Sequence, residues 1–210
     1  MRMRVSKVYV VLVVLAVCAL GVQATVIDAF SDYDPAGAGI YDTGSGWSIP
    51  APAAGVTIAE TGITGTLGGN RTSTYTAATT GSLVLVPGAG IAAINNAFDF
   101  STVVYSYSGF SIDLTTGTKL ALDFDPDHLT YQKDAVISMT ISDGTDSSTV
   151  TYATWDASYQ PGGANYNPDR FDLDFLVADY AGVDLMAITS ISLSIESDIS
   201  GDYGLYGIST

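Results

Sequence analysis

Carboxylates are the main chemistry-bearing groups of this chain. It holds 22 Asp+Glu against 7 Lys+Arg, with 1 His and 1 Cys. Hard oxygen donors in such number suit calcium rather than a thiolate- or imidazole-loving metal. Asp28, Asp32 and Asp34 lie near the start, and Asp198 and Asp202 near the end. If the terminal strands run side by side, these five carboxylates come together as a structural Ca2+ site; the alternative is a scatter of solvating Asp. Asp123-Phe124-Asp125-Pro126-Asp127 also has the spacing of a calcium loop, and Asp134 falls at its twelfth position. However, His128 stands where the sharp turn of that loop needs Gly, and the flanks read as strand rather than helix.

A second constellation is aromatic. Trp155, Tyr159 and Tyr166 sit among Gln160, Asn165, Asn167 and Asp169. Aromatic faces stack on sugar rings, and amides and carboxylates hydrogen-bond hydroxyls, so Trp155, Tyr159, Asn165, Tyr166 and Asp169 form a candidate glycan-binding patch. The same aromatics would equally serve to pin a long loop, and Trp47 has the same two readings. Catalytic constellations are sparse. A Ser-His-Asp triad would have to use His128, and no nucleophile-elbow motif accompanies it. Two carboxylates can hydrolyse a glycosidic bond, which makes Glu60 and Glu196, the two Glu of the chain, the alternative catalytic pair. Gly68-Gly69 precedes no helix and so is not a phosphate loop.

The elements that must hold these residues have a period of two. In Lys119–Asp125, Leu120, Leu122 and Phe124 point one way and Asp123 and Asp125 the other. Phe171–Phe175 and Ser190–Glu196 repeat the alternation, the latter with three aliphatics on one side and Ser or Glu on the other. Each predicts a strand buried on one face and wet on the other. Asp143-Gly144-Thr145-Asp146 predicts a hairpin turn between Val136–Ser142 and Ser147–Trp155. Further strands are expected at Thr25–Phe30, Gly55–Ala59, Arg71–Ala77, Leu83–Val86, Thr102–Tyr107 and Gly204–Ser209, with Ala89–Ala97 read as strand and loop. Asp184–Ala187 is read as a single helical turn capped by Asp184. Ser31–Ala54 and Trp155–Asp169 lack a pattern and are expected to be long surface loops. Many short strands at this spacing predict an all-β fold, a single antiparallel β-sandwich of jelly-roll type.

Residues 1–24 read as a secretory signal peptide with its own short helix. Arg2, Arg4 and Lys7 form a positive start, Val8–Leu20 an apolar run too short to span a bilayer, and Val22-Gln23-Ala24 a cleavage site. Leu15-Ala16-Val17-Cys18 approaches a lipoprotein box, but Val17 is bulky where a small residue belongs. Cleavage leaves one domain, residues 25–210, without cysteine and hence without a disulfide. It keeps Arg71, Lys119, Lys133 and Arg170 as the cations facing 22 acids. Such a surface repels nucleic acid and anionic lipid, and no later segment is long and apolar enough to cross a membrane.

Several short segments recur in a known order: Val26–Ser31, Leu67-Gly68-Gly69-Asn70-Arg71-Thr72, Phe110–Leu114, Ile141–Gly144, Ile188–Ile195 and Asp202–Ile208. In this the chain resembles the secreted bacterial β-sandwich proteins of the PEP-CTERM or choice-of-anchor type. The resemblance implies an exported, surface- or matrix-associated protein and carries over no catalytic residue. Members of that group continue into a Pro-Glu-Pro segment, an apolar helix and a basic tail, whereas this sequence ends at Thr210, which reads either as free release or as a truncated record. The expectation is thus a secreted, non-enzymatic binding or structural component of the cell surface or exopolysaccharide matrix. Extracellular polysaccharide is the expected partner, and a small jelly-roll hydrolase is the alternative.

Overall fold

The computed structural model describes residues 24–30, 47–50, 56–77, 82–86, 92–96, 101–125, 135–153, 171–197 and 202–210. The proposed signal peptide, most of the two long loops and the Asp127–Asp134 part of the calcium-loop candidate lie outside these residues.

Alternating side chains build two antiparallel sheets. The strands are β1 (Val26–Asp28), β2 (Trp47–Pro50), β3 (Val56–Thr61), β4 (Asn70–Ala77), β5 (Ser82–Val86), β6 (Ala92–Asn96), β7 (Ser101–Ile112), β8 (Lys119–Asp125), β9 (Ala135–Ser142), β10 (Ser147–Ala153), β11 (Phe171–Leu176), β12 (Ile188–Ser197) and β13 (Asp202–Ser209). The first sheet has the order β11-β8-β13-β6-β5-β2, and β1 also pairs with β13. The second has the order β10-β9-β12-β7-β4-β3.

The sheets face each other across an apolar core. Leu120, Leu122 and Phe124 of β8, Phe175 of β11 and Leu205 and Ile208 of β13 come from the first. Val103 and Tyr105 of β7, Ile137, Met139 and Ile141 of β9, and Ile191, Leu193 and Ile195 of β12 come from the second. All are buried. Burial of one such side chain stabilises the fold by roughly 1.5–3 kcal/mol, so this alternation fixes the register of β7, β8, β9 and β12.

The β9–β10 hairpin closes as expected. Gly144 has φ +95°, and Asp143 Oδ1 accepts the backbone N–H groups of Thr145 (2.7 Å) and Asp146 (2.8 Å). Three sequence expectations need correction. The segment Ser31–Ala54 is not all loop, because β2 lies within it and pairs with β5 from Trp47↔Leu85 to Pro50↔Ser82. The strand expected at Thr102–Tyr107 continues to Ile112; β7 bulges where Ser108 and Ile112 pair with Ser190 and Ile188, and Gly109 at φ +84° takes up the extra length. Asp184–Ala187 is a turn rather than a helical one, with Asp184 Oδ1 accepting the Met186 N–H at 3.0 Å.

The chain ends of the domain meet. Val26 pairs with Ser209 and Asp28 with Ile208, so one residue of β13 is matched by two of β1. A bulge of this kind re-aims a side chain. Here it turns both Ile27 and Asp28 inward, where strict alternation would have sent Asp28 to solvent.

Candidate functional site

The bulge delivers Asp28 into an ionic cluster built from four strands. Glu60 on β3 and Arg71 on β4 are direct cross-strand partners. Arg71 donates from Nε to Glu60 Oε2 (2.7 Å) and from Nη2 to Glu60 Oε1 (3.1 Å), a two-pronged clasp. Its Nη1 donates to Asp28 Oδ2 at 3.0 Å, crossing from the second sheet to the first. Tyr107 Oη of β7 donates to the same Asp28 oxygen at 2.9 Å. Asp28 Oδ1 accepts the Phe30 backbone N–H (2.7 Å) and the Thr66 hydroxyl (3.3 Å). Relative exposure is 1 % for Asp28, 3 % for Glu60 and 1 % for Arg71, so the cluster is sealed from bulk solvent.

Local structure explains how the cluster is held. Before β4 the chain turns through Leu67–Gly69, where Gly68 has φ +74°. A Cβ on Gly68 would stand 2.9 Å from the Ser108 carbonyl oxygen, so only glycine lets this turn lie against β7. On the other side, Phe30 adopts φ +46°, a left-handed conformation rarely taken by a bulky residue. The Asp28 carboxylate holds that conformation through the Phe30 N–H. The Phe30 ring lies 5.7 Å from the Arg71 guanidinium carbon and meets Tyr105 edge-on at 5.4 Å. Burial works against the charge on Arg71, but the hydrogen bonds to Glu60 and the charges of Asp28 and Glu60 outweigh it and raise its pKa. The guanidinium is therefore charged at every working pH.

This chemistry is structural. Both Glu60 oxygens accept from Arg71 within the core, so Glu60 cannot reach a substrate as acid or nucleophile. Glu196 is exposed on β12. Its row runs through Thr102 of β7 to Thr76 of β4, five positions along from Arg71. Strand spacing and rise place the two Glu roughly 20 Å apart, on opposite faces of the sheet. Paired glycosidase carboxylates stand about 5–9.5 Å apart. The Glu60–Glu196 pair considered from sequence is thus not assembled.

Of the five carboxylates considered for calcium, Asp28 is occupied by protein donors, and Asp202 pairs with Asn95 at the far end of β13. Six residues of strand separate it from Ile208, the partner of Asp28, a distance of about 20 Å. Asp32, Asp34 and Asp198 lie outside the described residues, as do Trp155, Tyr159, Asn165, Tyr166 and Asp169. Among the described residues no group of three or more His, Cys, Asp or Glu is placed to hold a metal ion.

The two outward faces differ. On the first sheet, β8 and β11 present Asp123, Asp172, Asp174 and Lys119, and Lys119 Nζ binds both Asp174 oxygens at 2.8 and 2.9 Å. On the second sheet, hydroxyls run in rows across the strands. One row is Thr72, Ser106, Ser192, Thr140, Thr149; the next is Thr57, Thr74, Val104, Ser194, Ser138, Thr151. Neighbours bond laterally: Thr57 to Thr74 at 3.1 Å, Ser106 to Ser192 at 3.2 Å, Ser138 to Thr151 at 3.0 Å and Thr140 to Thr149 at 2.8 Å. Glu196 is the one charged side chain on this face among the described residues.

Sequence reasoning missed the cluster and the hydroxyl face together. Thr72, Thr74 and Thr76 share one parity of β4, which puts Arg71 on the other, inward parity. That was the available signal.

No protein-family model matches the chain, and no curated protein sequence matches it significantly. Solved structures that share features of the sandwich include a carbohydrate-binding module of family 28 described as specific for non-crystalline cellulose. It is 11% identical, with TM-score 0.41, over 62% of this chain and 79% of that one. Another is a family 11 carbohydrate-binding module from Clostridium thermocellum in complex with a β-1,3-1,4-mixed-linked tetrasaccharide, 10% identical, with TM-score 0.39, over 76% and 89% of the two chains. At these identities and scores neither lends this chain a site. Among the described residues no helix is long and apolar enough to cross a membrane.

Proposed function

We propose that this protein is an exported, non-catalytic component of the cell exterior that binds neutral polysaccharide at the surface or in the exopolysaccharide matrix. The observation that supports this reading is the outward face of the second sheet. In a chain of formal net charge −15, this face offers hydroxyls with a single carboxylate. A neutral, hydroxyl-rich polymer exchanges hydrogen bonds with such a surface without stripping water from charges. The aromatic patch of Trp155, Tyr159, Asn165, Tyr166 and Asp169 supplies the stacking contacts in this reading. Residues 1–24 supply export, and the domain itself is of jelly-roll type. A structural calcium belongs to the reading only at carboxylates other than Asp28, whose oxygens are already taken.

Affinity electrophoresis against neutral and anionic polysaccharides tests the proposal. Retardation by neutral polymers without release of reducing ends is expected. Reducing-end release that Glu196→Gln abolishes would replace it with the hydrolase reading. Thermal melting with and without chelator tests the calcium: an unchanged midpoint removes metal from the account.

A further inference from the structure

The hydroxyls on the outward face of the second sheet are not all alike. Over much of the array they bond to one another, as Thr57 does with Thr74, Ser106 with Ser192, Ser138 with Thr151 and Thr140 with Thr149. Around Glu196 this pairing stops. Glu196 stands between Thr102 of β7 and Val136 of β9, and Ser194, two residues before it, stands between Val104 and Ser138. Thr76 of β4 continues the Glu196 row beyond Thr102. Val103, Ile137 and Ile195 are buried, so their neighbours along each strand point outward. Among the described residues, the side chains of Thr76, Thr102, Ser194 and Glu196 make no hydrogen bond or ion pair.

Three chemistries meet at this spot. The exposed Glu196 carboxylate is an acceptor whose hydrogen bonds are stronger than those between neutral groups. Thr102 and Ser194 supply hydroxyls that both donate and accept. Val104 and Val136 flank β12 on opposite sides and add apolar surface. Strand spacing and rise make the patch about 10 Å by 7 Å. A pyranose ring matches this set, with C–H groups on its faces and hydroxyls at its rim. Other occupants match it less well. One carboxylate is too few for calcium, which takes 6–8 oxygen ligands. Glu196 and a net charge of −15 repel an anionic polymer. A cationic ligand finds more carboxylates on the opposite face, at Asp123, Asp172 and Asp174.

We propose that Glu196, Thr102, Ser194, Val104 and Val136 form a subsite for one neutral sugar unit. The Glu196 carboxylate accepts two adjacent ring hydroxyls, and the valines pack against ring C–H groups. The inference rests on the polysaccharide-binding reading and gives it a location. Elsewhere on the face a sugar must break a hydroxyl pair to bind, whereas here the polar groups are available.

Affinity electrophoresis in gels holding dextran or mixed-linked β-glucan tests the subsite, with retardation measured against a polymer-free gel. Glu196→Ala should weaken binding about tenfold or more, because hydrogen bonds to a charged group are lost. Val136→Asn should weaken it a few-fold. Thr149→Val, in a laterally bonded row, should leave binding unchanged. So should Asp172→Asn, which removes one carboxylate from the opposite face. None of these four side chains is buried, so their melting midpoints should stay with the parent's. Periodate cleavage of adjacent hydroxyls in the polymer, followed by borohydride reduction to keep it neutral, should abolish retardation. Parent-like binding in Glu196→Ala overturns the subsite and leaves polysaccharide binding standing. Equal weakening by Asp172→Asn, or binding that survives periodate, does the same. If neither polymer retards the parent, polysaccharide binding and the subsite fall together.

Discussion

Two cross-strand ion pairs serve different ends in this molecule. Arg71 and Glu60 sit on neighbouring strands of the second sheet, and Lys119 and Asp174 on neighbouring strands of the first. Both have well-formed geometry, at 2.7 and 2.8 Å for their shortest contacts. Side-chain exposure separates them: 0 % and 3 % for the first pair, 38 % and 41 % for the second. In water, a pair gains little over its hydrated partners. In the core, each charge is tolerable only while the other groups are present. The buried cluster also joins the two sheets through Asp28, while the exposed pair stays within one. Position, more than pairing geometry, sets what an ion pair contributes.

This contrast can be broken from its strong end. Arg71→Ala leaves two carboxylates buried without their cation and should cost about 3–5 kcal/mol. In a chain of this size that lowers the midpoint by roughly 6–20 °C, measured by thermal melting. A triple variant, Asp28→Asn with Glu60→Gln and Arg71→Met, removes the charges together and should recover a large part of that loss. If Arg71→Ala melts like the parent, the cluster is not what ties the sheets.

Asp28→Asn comes next. It weakens the charge-assisted bonds from Arg71 and Tyr107 and should cost about 1–3 kcal/mol in chemical denaturation. Hydrogen exchange should also rise at the backbone N–H groups of Phe30 and Thr210, which report on β1. Protection unchanged at both would detach Asp28 from β1 docking.

A smaller effect is expected at Asp143. Backbone N–H groups of Asp146, Asp184 and Thr145 hold its carboxyl below the ordinary carboxylate range. A depressed folded-state pKa adds stability that is present above about pH 4, the unfolded value, and lost as pH falls through the lower folded value. Asp143→Asn should flatten that acid limb of the stability curve and leave neutral pH nearly unchanged. An acid limb identical to the parent's would refute the assignment. At the weak end, Lys119→Ala should not measurably move the melting midpoint, although Asp174 raises the pKa of Lys119. A drop comparable to that of Arg71→Ala would erase the distinction between the two pairs.

Much of the fold was legible because its signals are local. Leu120, Leu122 and Phe124 alternate without interruption, and Asp143-Gly144 supplies a turn that needs little beyond its own residues. β2 was not legible. Four residues ending in proline, flanked by Gly and Pro, hold no pattern of their own, and the strand exists because β5 offers an edge. β7 was truncated at Ser108-Gly109 because a glycine there reads as a stop, whereas the sheet uses it as a bulge. The candidate site was less legible still. Asp28 was read as a metal ligand because terminal strands running side by side would gather it with four other carboxylates. Its bonds to Thr66, Arg71 and Tyr107 join residues 38, 43 and 79 positions apart, and no spacing rule predicts such contacts.

The sequence by itself determined the strand alternation, the β9–β10 hairpin, the thiol-poor acidic composition and the hydroxyl parity of the second sheet. These follow from residue type and a period of two, which act within a few residues. The tertiary structure alone decided which charges are buried. Strand order brings β3, β4 and β7 together, and one bulge in β1 turns Asp28 toward them. The penalty for an unpaired charge in the core then makes Asp28, Glu60 and Arg71 a single unit. Burial is a property of the assembled sheets, which no single strand carries in its own residues.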